Sequence, residues 1–134
     1  MGEFYPRTYW EDRLSGSTGL EGVGYLGLGQ NFNLWMYRLR RSVFTEVARR
    51  YIPDSPTSKV LDVGSGTGFY LDRWAELQAT DVMGSDLTSV ATERLRISYP
   101  GISIQRMDIS GTTLPITGPF DVISCMDVLF HVVQ

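Results

Sequence analysis

Val60-Leu61-Asp62-Val63-Gly64-Ser65-Gly66-Thr67-Gly68 is a short apolar run that closes on three alternating glycines. From Phe69 onward the apolar residues have the spacing of an amphipathic helix. The stretch therefore predicts a strand over Lys59–Val63 and a helix over Phe69–Ala79, with Phe69, Trp74 and Leu77 as its packing residues. Between them, glycine lets the backbone turn sharply and come close to a ligand at the carboxyl edge of a sheet. Gly64 and Gly66 suit the tight turn, and Gly68 lets the helix start against the strand. A plain tight turn uses the same residues, so the glycines need their context to carry meaning.

The context downstream is alternating strand and helix. Asp81–Ser85 reads as a strand and Leu87–Tyr99 as a helix stopped by Pro100-Gly101. Ile102–Met107 is a third strand, and residues 108–119, with Gly111, Pro115, Gly118 and Pro119, form a loop. Phe120–Met126 is a fourth strand, after which Asp127–Gln134 opens a further crossover helix. Such alternation implies an α/β fold with a parallel sheet and right-handed crossovers. An acid, Asp86, stands 18 residues after Gly68, and this combination points to nucleoside binding.

A dinucleotide fingerprint spaced from Gly64 and Gly66 needs its third glycine at position 69, which is Phe69. Asp62 adds a carboxylate at the strand end, where it can meet a ligand ammonium or order water, and where a pyrophosphate would be repelled. Asp86 closes the second strand, where a carboxylate can accept from ribose hydroxyls. Asp86 or Thr88 can equally cap the following helix. Asp108 with Ile109 follows the third strand, where an Asx turn is the ordinary alternative. Cys125 has no second cysteine or nearby base, which argues against a nucleophilic thiol.

These residues resemble the motifs of class I S-adenosylmethionine-dependent methyltransferases over residues 58–134. The resemblance implies a Rossmann-like sheet with flanking helices. Its four strands would stand in the order 3-2-1-4, truncated before the later strands of that family. It implies a site in which Asp62, Gly64, Ser65, Gly66 and Gly68 form the cofactor turn, and Asp86 with Leu87 takes the ribose. Asp108 would bind the adenine amino group while Ile109 packs on the ring, and Cys125 and Met126 would touch the methionine portion. The implied cofactor is S-adenosylmethionine, its product S-adenosylhomocysteine. The implied reaction is methyl transfer by in-line displacement to a small-molecule acceptor. Two rival readings are a cofactor-binding fragment without activity and an NAD(P)-dependent oxidoreductase. His131, one helical turn after Asp127, is the candidate catalytic residue, with packing as the alternative; Asp127 and the tyrosines are the other groups that could act as a base, with no triad or dyad among them.

Upstream, residues 1–52 form an aromatic and glycine-rich cap with a helix, set apart from the cofactor domain of residues 53–134. A short helix is expected near Tyr9–Leu14. Residues 15–29 hold six glycines and read as a flexible loop that packs through Leu20, Val23, Tyr25, Leu26 and Leu28. Asn31 or Asn33 can cap a helix that runs to Tyr51 and is stopped by Pro53. Its apolar face gathers Met36, Tyr37, Val43, Phe44, Val47, Ala48 and Tyr51. Arg40 falls in the middle of that face, where a guanidinium needs a partner. A cofactor carboxylate and an internal salt bridge to Glu11 or Asp62 are both open.

The net charge of −3 divides into +2 for residues 1–52 and −5 for residues 53–134. No dense basic stripe is present, so a nucleic-acid partner is not expected. One cysteine and one histidine build no Cys/His metal cluster, and no metal is expected. No apolar run approaches a membrane span, the start Met1-Gly2-Glu3-Phe4 lacks a signal segment, and a cytoplasmic protein is expected. With the fourth strand at an edge, self-association through Phe120–Met126, or else poor stability, is expected.

Overall fold

In a computed structural model, which describes residues 4–132, the apolar run forms strand β1 (Lys59–Val63). It is followed by helix α3 (Phe69–Glu76), strand β2 (Asp81–Asp86), helix α4 (Ser89–Ser98), β3 (Ser103–Arg106) and β4 (Val122–Ser124). The four strands make one parallel sheet, as the alternation of elements predicts, in the order β3-β2-β1-β4 that the family resemblance implies. Register places Val63 beside Ser85 and Asp86 beside Arg106. The carboxyl ends of the strands are therefore level, and the residues just beyond them share one edge.

Because β1 is central, both of its faces are covered. Val60 packs with Trp74, Leu77, Phe44 and Ala48, while Leu61 and Val63 pack with Met107 on the opposite side. A third cluster of Leu71, Leu95 and Ile104 fixes α3 and α4 against β2 and β3. Asp121 accepts the Lys59 backbone N–H and so ties the start of β4 to β1.

The chain upstream is more ordered than its glycines suggest. Helix α1 covers Pro6–Gly16 rather than Tyr9–Leu14, because Pro6 starts it a turn earlier. Two 3-10 turns, Leu20–Gly22 and Leu26–Leu28, occupy the expected flexible loop. Helix α2 spans Gly29–Tyr51, and neither Asn31 nor Asn33 caps it. Asn33 lies inside the helix, 1% exposed. It accepts the Tyr25 N–H at 2.8 Å and donates to the carbonyls of Tyr25 and Gly29, each at 2.9 Å.

Three further expectations are corrected. Of the α2 apolar face, Met36, Tyr37, Phe44 and Ala48 are buried, but Val43, Val47 and Tyr51 are exposed. With the exposed Trp35 and Leu39 they form a ridge spaced four residues apart, since α2 meets the rest of the fold along a narrower strip than its apolar arc. Strand β4 pairs over Val122–Ser124 alone, shorter than Phe120–Met126. The segment after Asp127 is a 3-10 turn, Leu129–His131, rather than a crossover helix. Val133 and Gln134, and the start Met1–Glu3, lie outside the described residues. Among the described residues, no helix is long and apolar enough to cross a membrane.

Asn33 is the lock between the glycine-rich segment and α2, so Asn33→Leu should lower the unfolding free energy by about 1–3 kcal/mol, the usual cost of stranding buried backbone partners. Asn31→Ala, on the exposed side, should change it by less than about 0.5 kcal/mol. Urea titration of the two variants checks both values.

Candidate functional site

The turn after β1 takes its shape from glycine: φ is 73° at Gly64, 54° at Gly66 and 87° at Gly68, all left-handed. A Cβ on Gly64 would run into Val128, and one on Gly68 into the Tyr99 ring. The Tyr99 hydroxyl donates to Asp72 at 2.8 Å, which holds that ring against the start of α3. Local conformation and close approach therefore both demand these glycines.

Behind the turn lies a closed polar hub. Asp62 is 1% exposed; its Oδ2 accepts from the Ser65 hydroxyl at 2.8 Å and its Oδ1 from the Ser124 hydroxyl at 2.6 Å. Ser124 in turn accepts the Trp74 indole N–H, and Ser65 accepts the Ser85 N–H. Burial pushes the Asp62 carboxyl up to about 6, against the two serine hydrogen bonds that lower it, with the nearby Asp86 charge adding to the rise. Both Asp62 oxygens are thus engaged within the protein, and the side chain braces the turn.

In front of the turn is a cavity of about 560 Å³, within the range of small-molecule sites. Its floor is the sheet edge: Gly64–Thr67, Asp86–Leu87, Asp108–Ile109 and Met126–Asp127. Asp86 is buried, accepting from Gly66 N–H through Oδ2 and from the Thr88 N–H and hydroxyl through Oδ1. The cap of α4 is Thr88, whose side chain accepts the Ala91 N–H. Asp108 Oδ1 accepts the Ser110 N–H and hydroxyl, and these bonds hold its carboxyl below the usual range.

Tyr37, Phe69 and Tyr70 form an aromatic side wall, and α1 contributes Trp10 and Leu14 from above. His131 lines the cavity edge-on to Trp10, ring centroids 4.9 Å apart. Burial lowers its pKa, the Arg13 charge lowers it further, and Asp127 opposes them. The imidazole is therefore neutral at neutral pH.

Of the residues singled out in the sequence, Gly64, Ser65, Gly66, Asp86, Leu87, Asp108, Ile109, Met126 and His131 line this cavity. Asp62, Gly68, Cys125 and Arg40 stand behind its wall. Cys125 packs on the Leu61–Val63–Met107 cluster, and burial and Asp62 raise its thiol pKa. Arg40 pairs with neither Glu11 nor Asp62; it bonds Asp127 at 2.8 Å and lies over the Tyr37 ring. Asp127 itself takes a left-handed backbone, φ 59°, and faces the cavity. Sequence reasoning named Asp127 only as a possible base and did not foresee its pairing with Arg40; it missed Thr67, the aromatic wall and the contribution of α1. Thr67, inside the glycine motif, is the one with a signal: its Oγ1 is buried with no partner among the described residues.

A family profile described as a methyltransferase domain matches residues 60–134. The ubiquinone biosynthesis O-methyltransferase of Albidiferax ferrireducens is 37% identical over 79 residues, which cover 55% of this chain and 31% of that protein. The SAM-bound amino pentose methyltransferase CalS10 of Micromonospora echinaspora superposes with a TM-score of 0.55 at 23% identity, over 94% of this chain and 44% of its own. DesVI of Streptomyces venezuelae gives 0.50 at 23% identity, over 79% and 41%. These two likenesses establish the fold. The chain spans less than half the length of each of the three relatives.

The Asp62 hub makes a pH-dependent contribution of defined sign. The folded state binds this proton more tightly than the unfolded chain, whose carboxyl titrates near 3.8. Its stabilisation is therefore full below the ordinary range and lost as pH rises through about 6. Relative to Asp62→Asn, the native chain should lose on the order of 3 kcal/mol of stability between about pH 4 and pH 7. Urea-derived stabilities across that range check the sign and the size; profiles that run parallel for the two proteins would mean an unshifted carboxyl.

Proposed function

The chain belongs to the methyltransferase-domain family, and from that premise we propose that its cavity binds S-adenosylmethionine for methyl transfer to a small-molecule acceptor. The observation that carries this reading is convergence. The glycine turn, Asp86 and the Asp108–Ile109 pair come from three separate strand ends and meet on one cavity. The cavity also suits such a ligand chemically. Asp86 accepts three hydrogen bonds within the protein, and a carboxylate has room for about four, which leaves capacity for a ribose hydroxyl. Asp108 bonds Ser110 through Oδ1, leaving Oδ2 for an adenine amino group, with Ile109 and Leu87 as apolar contacts. The unpartnered Thr67 hydroxyl and the Met126 backbone serve the amino-acid end. Asp62 and Gly68 shape the turn, Cys125 backs it, and Arg40 acts by fixing Asp127.

When bound, the cofactor supplies a methyl group already activated on a sulfonium. The work left to this chain is alignment and exclusion of water. Tyr37, Phe69, Tyr70 and Trp10 supply the dry walls. His131, neutral and in the cavity, is the group able to accept a proton from an acceptor that must lose one. The matched relative acts in ubiquinone biosynthesis as an O-methyltransferase, and a hydroxyl acceptor is consistent with that base. The oxidoreductase alternative gains no support, since Phe69 stands in the third glycine position and the matched family is a methyltransferase domain. A binding unit without turnover is the second reading. Methyl-transfer assays on this chain separate the two.

We further propose that the chain self-associates along β4. Among the described residues its outer edge carries no strand, Ile123 is 63% exposed, and the exposed ridge on α2 runs alongside it. Unpaired edges invite pairing. Sedimentation should show concentration-dependent association, reduced by Ile123→Lys; a monomer at high concentration would retire the idea.

For the cofactor, calorimetry with S-adenosylhomocysteine should give saturable binding. Asp86→Ala should weaken it by about 1–3 kcal/mol, roughly tenfold to a hundredfold, while NADH should show no saturable binding. Unchanged affinity in a folded Asp86→Ala chain would take Asp86 out of the site.

A further inference from the structure

Helix α1 lies over the cavity, yet little of it is buried. Leu14 is its buried residue, while Phe4, Tyr5 and Tyr9 around its start are exposed. Its C-terminal end is pinned by polar contacts: Arg94 donates to the carbonyls of Leu14 and Ser17, and Arg13 donates to those of Glu21 and Gly24. Gly16 and Gly19 come next, each with open space where a side chain would be. This end has the anchors and the freedom of a pivot.

Nearer the N-terminal end of α1, Glu11 reaches the first turn of α4. Its carboxylate accepts the Ser89 N–H at 3.0 Å, the Val90 N–H at 3.0 Å and the Ser89 hydroxyl at 2.7 Å. These two N–H groups belong to the donors a helix cannot satisfy internally, and the helix dipole favours an anion there. Thr88 caps the neighbouring Ala91 N–H, so Glu11 and Thr88 divide the helix start between them. The contact is half-exposed, and water can replace Glu11 on both N–H groups at modest cost. A tie of this kind is strong enough to close and weak enough to open. Burial raises the Glu11 carboxyl, but its hydrogen bonds from Ser89 and Val90, with the Arg106 charge, outweigh that and lower it overall. It is therefore ionised at neutral pH.

We propose that the N-terminal half of α1 is a lid over the cavity and that Glu11, seated on the start of α4, is its latch. The latch sets how fast a nucleoside enters and leaves. Closing brings Trp10 edge-on to His131; opening needs the Glu11 bonds and the Trp10–His131 contact to part. Glu11 is a positioning residue here, acting on the site through Trp10 and the rest of α1. The proposal rests on the reading that a nucleoside cofactor occupies this cavity.

A latch and a merely structural contact differ in what they do to association. Losing a structural contact lowers affinity and does not speed binding. Releasing a latch speeds both directions. With the chain immobilised and S-adenosylhomocysteine flowed over it, association and dissociation should both quicken in the order native, Glu11→Gln, Glu11→Ala. Glu11→Ala should change each rate about tenfold or more, as expected for a charge-assisted contact, with affinity moving less than either rate. Amide hydrogen exchange on the ligand-free chains should quicken over residues 6–16 in Glu11→Ala and leave β1 and β2 unchanged. Slower association with lost affinity, or unchanged exchange over residues 6–16, would overturn the latch. Faster exchange there with no binding of the probe by the native chain would instead overturn the cofactor reading.

Discussion

Everything at the carboxyl edge of the sheet is built around one buried carboxylate, that of Asp62, which belongs to β1 and lies behind the cavity floor. Its two oxygens are satisfied by Ser65 from the glycine turn and Ser124 from β4. Ser124 passes the contact on to Trp74 of α3, and Ser65 passes it on to Ser85 of β2. Four elements are thereby joined through one side chain. A buried carboxylate is costly unless its lone pairs are taken, so the hub holds only if turn, strand and helix are all in place. Burial raises the Asp62 pKa even so, because the two serine hydrogen bonds offset only part of the desolvation.

The hub also explains why the acids of the site divide their labour. The charge of Asp86 adds to the rise that burial imposes on Asp62. Asp86 faces the cavity and spends its hydrogen bonds on Gly66 and Thr88, which couples the turn after β1 to the start of α4. A ligand resting on Asp86 therefore rests on two elements at once. Asp108, further along the edge, is tied locally through Ser110 and depends on neither neighbour.

Much of this was legible from residues 59–126. Apolar runs of strand length, glycines and acids at fixed distances led to the parallel sheet and to most of the cavity floor, because strand ends in a parallel sheet are forced to one edge; the order of the strands came from the family resemblance. What resisted reading was of two kinds. Asp62 belongs to the motif by position, but whether a strand-end carboxylate points at ligand or at Ser124 depends on a residue 62 positions away. Arg40 posed the same problem: its place in an apolar arc correctly signalled a need for a partner, while the partner, Asp127, lies beyond the sheet. Periodicity also overstated the buried face of α2, since an apolar ridge is visible in sequence whether or not anything covers it.

The cavity thus has walls of unequal character. Its floor is carried by strands locked through buried side chains and level register, where a shift of one residue would turn every side chain to the wrong face. Its roof is a single helix with one buried residue, placed by charge on exposed backbone rather than by packing. Packed interfaces resist graded motion, whereas a carboxylate on a helix start trades places with water readily. A site that must hold its ligand in one orientation and still admit it needs both kinds of wall. The chain supplies them from different parts of its sequence: the glycine and acid pattern after residue 59 makes the rigid one, and the aromatic helix of residues 6–16 makes the movable one. The second kind leaves little periodic trace, because what defines it is how little it buries.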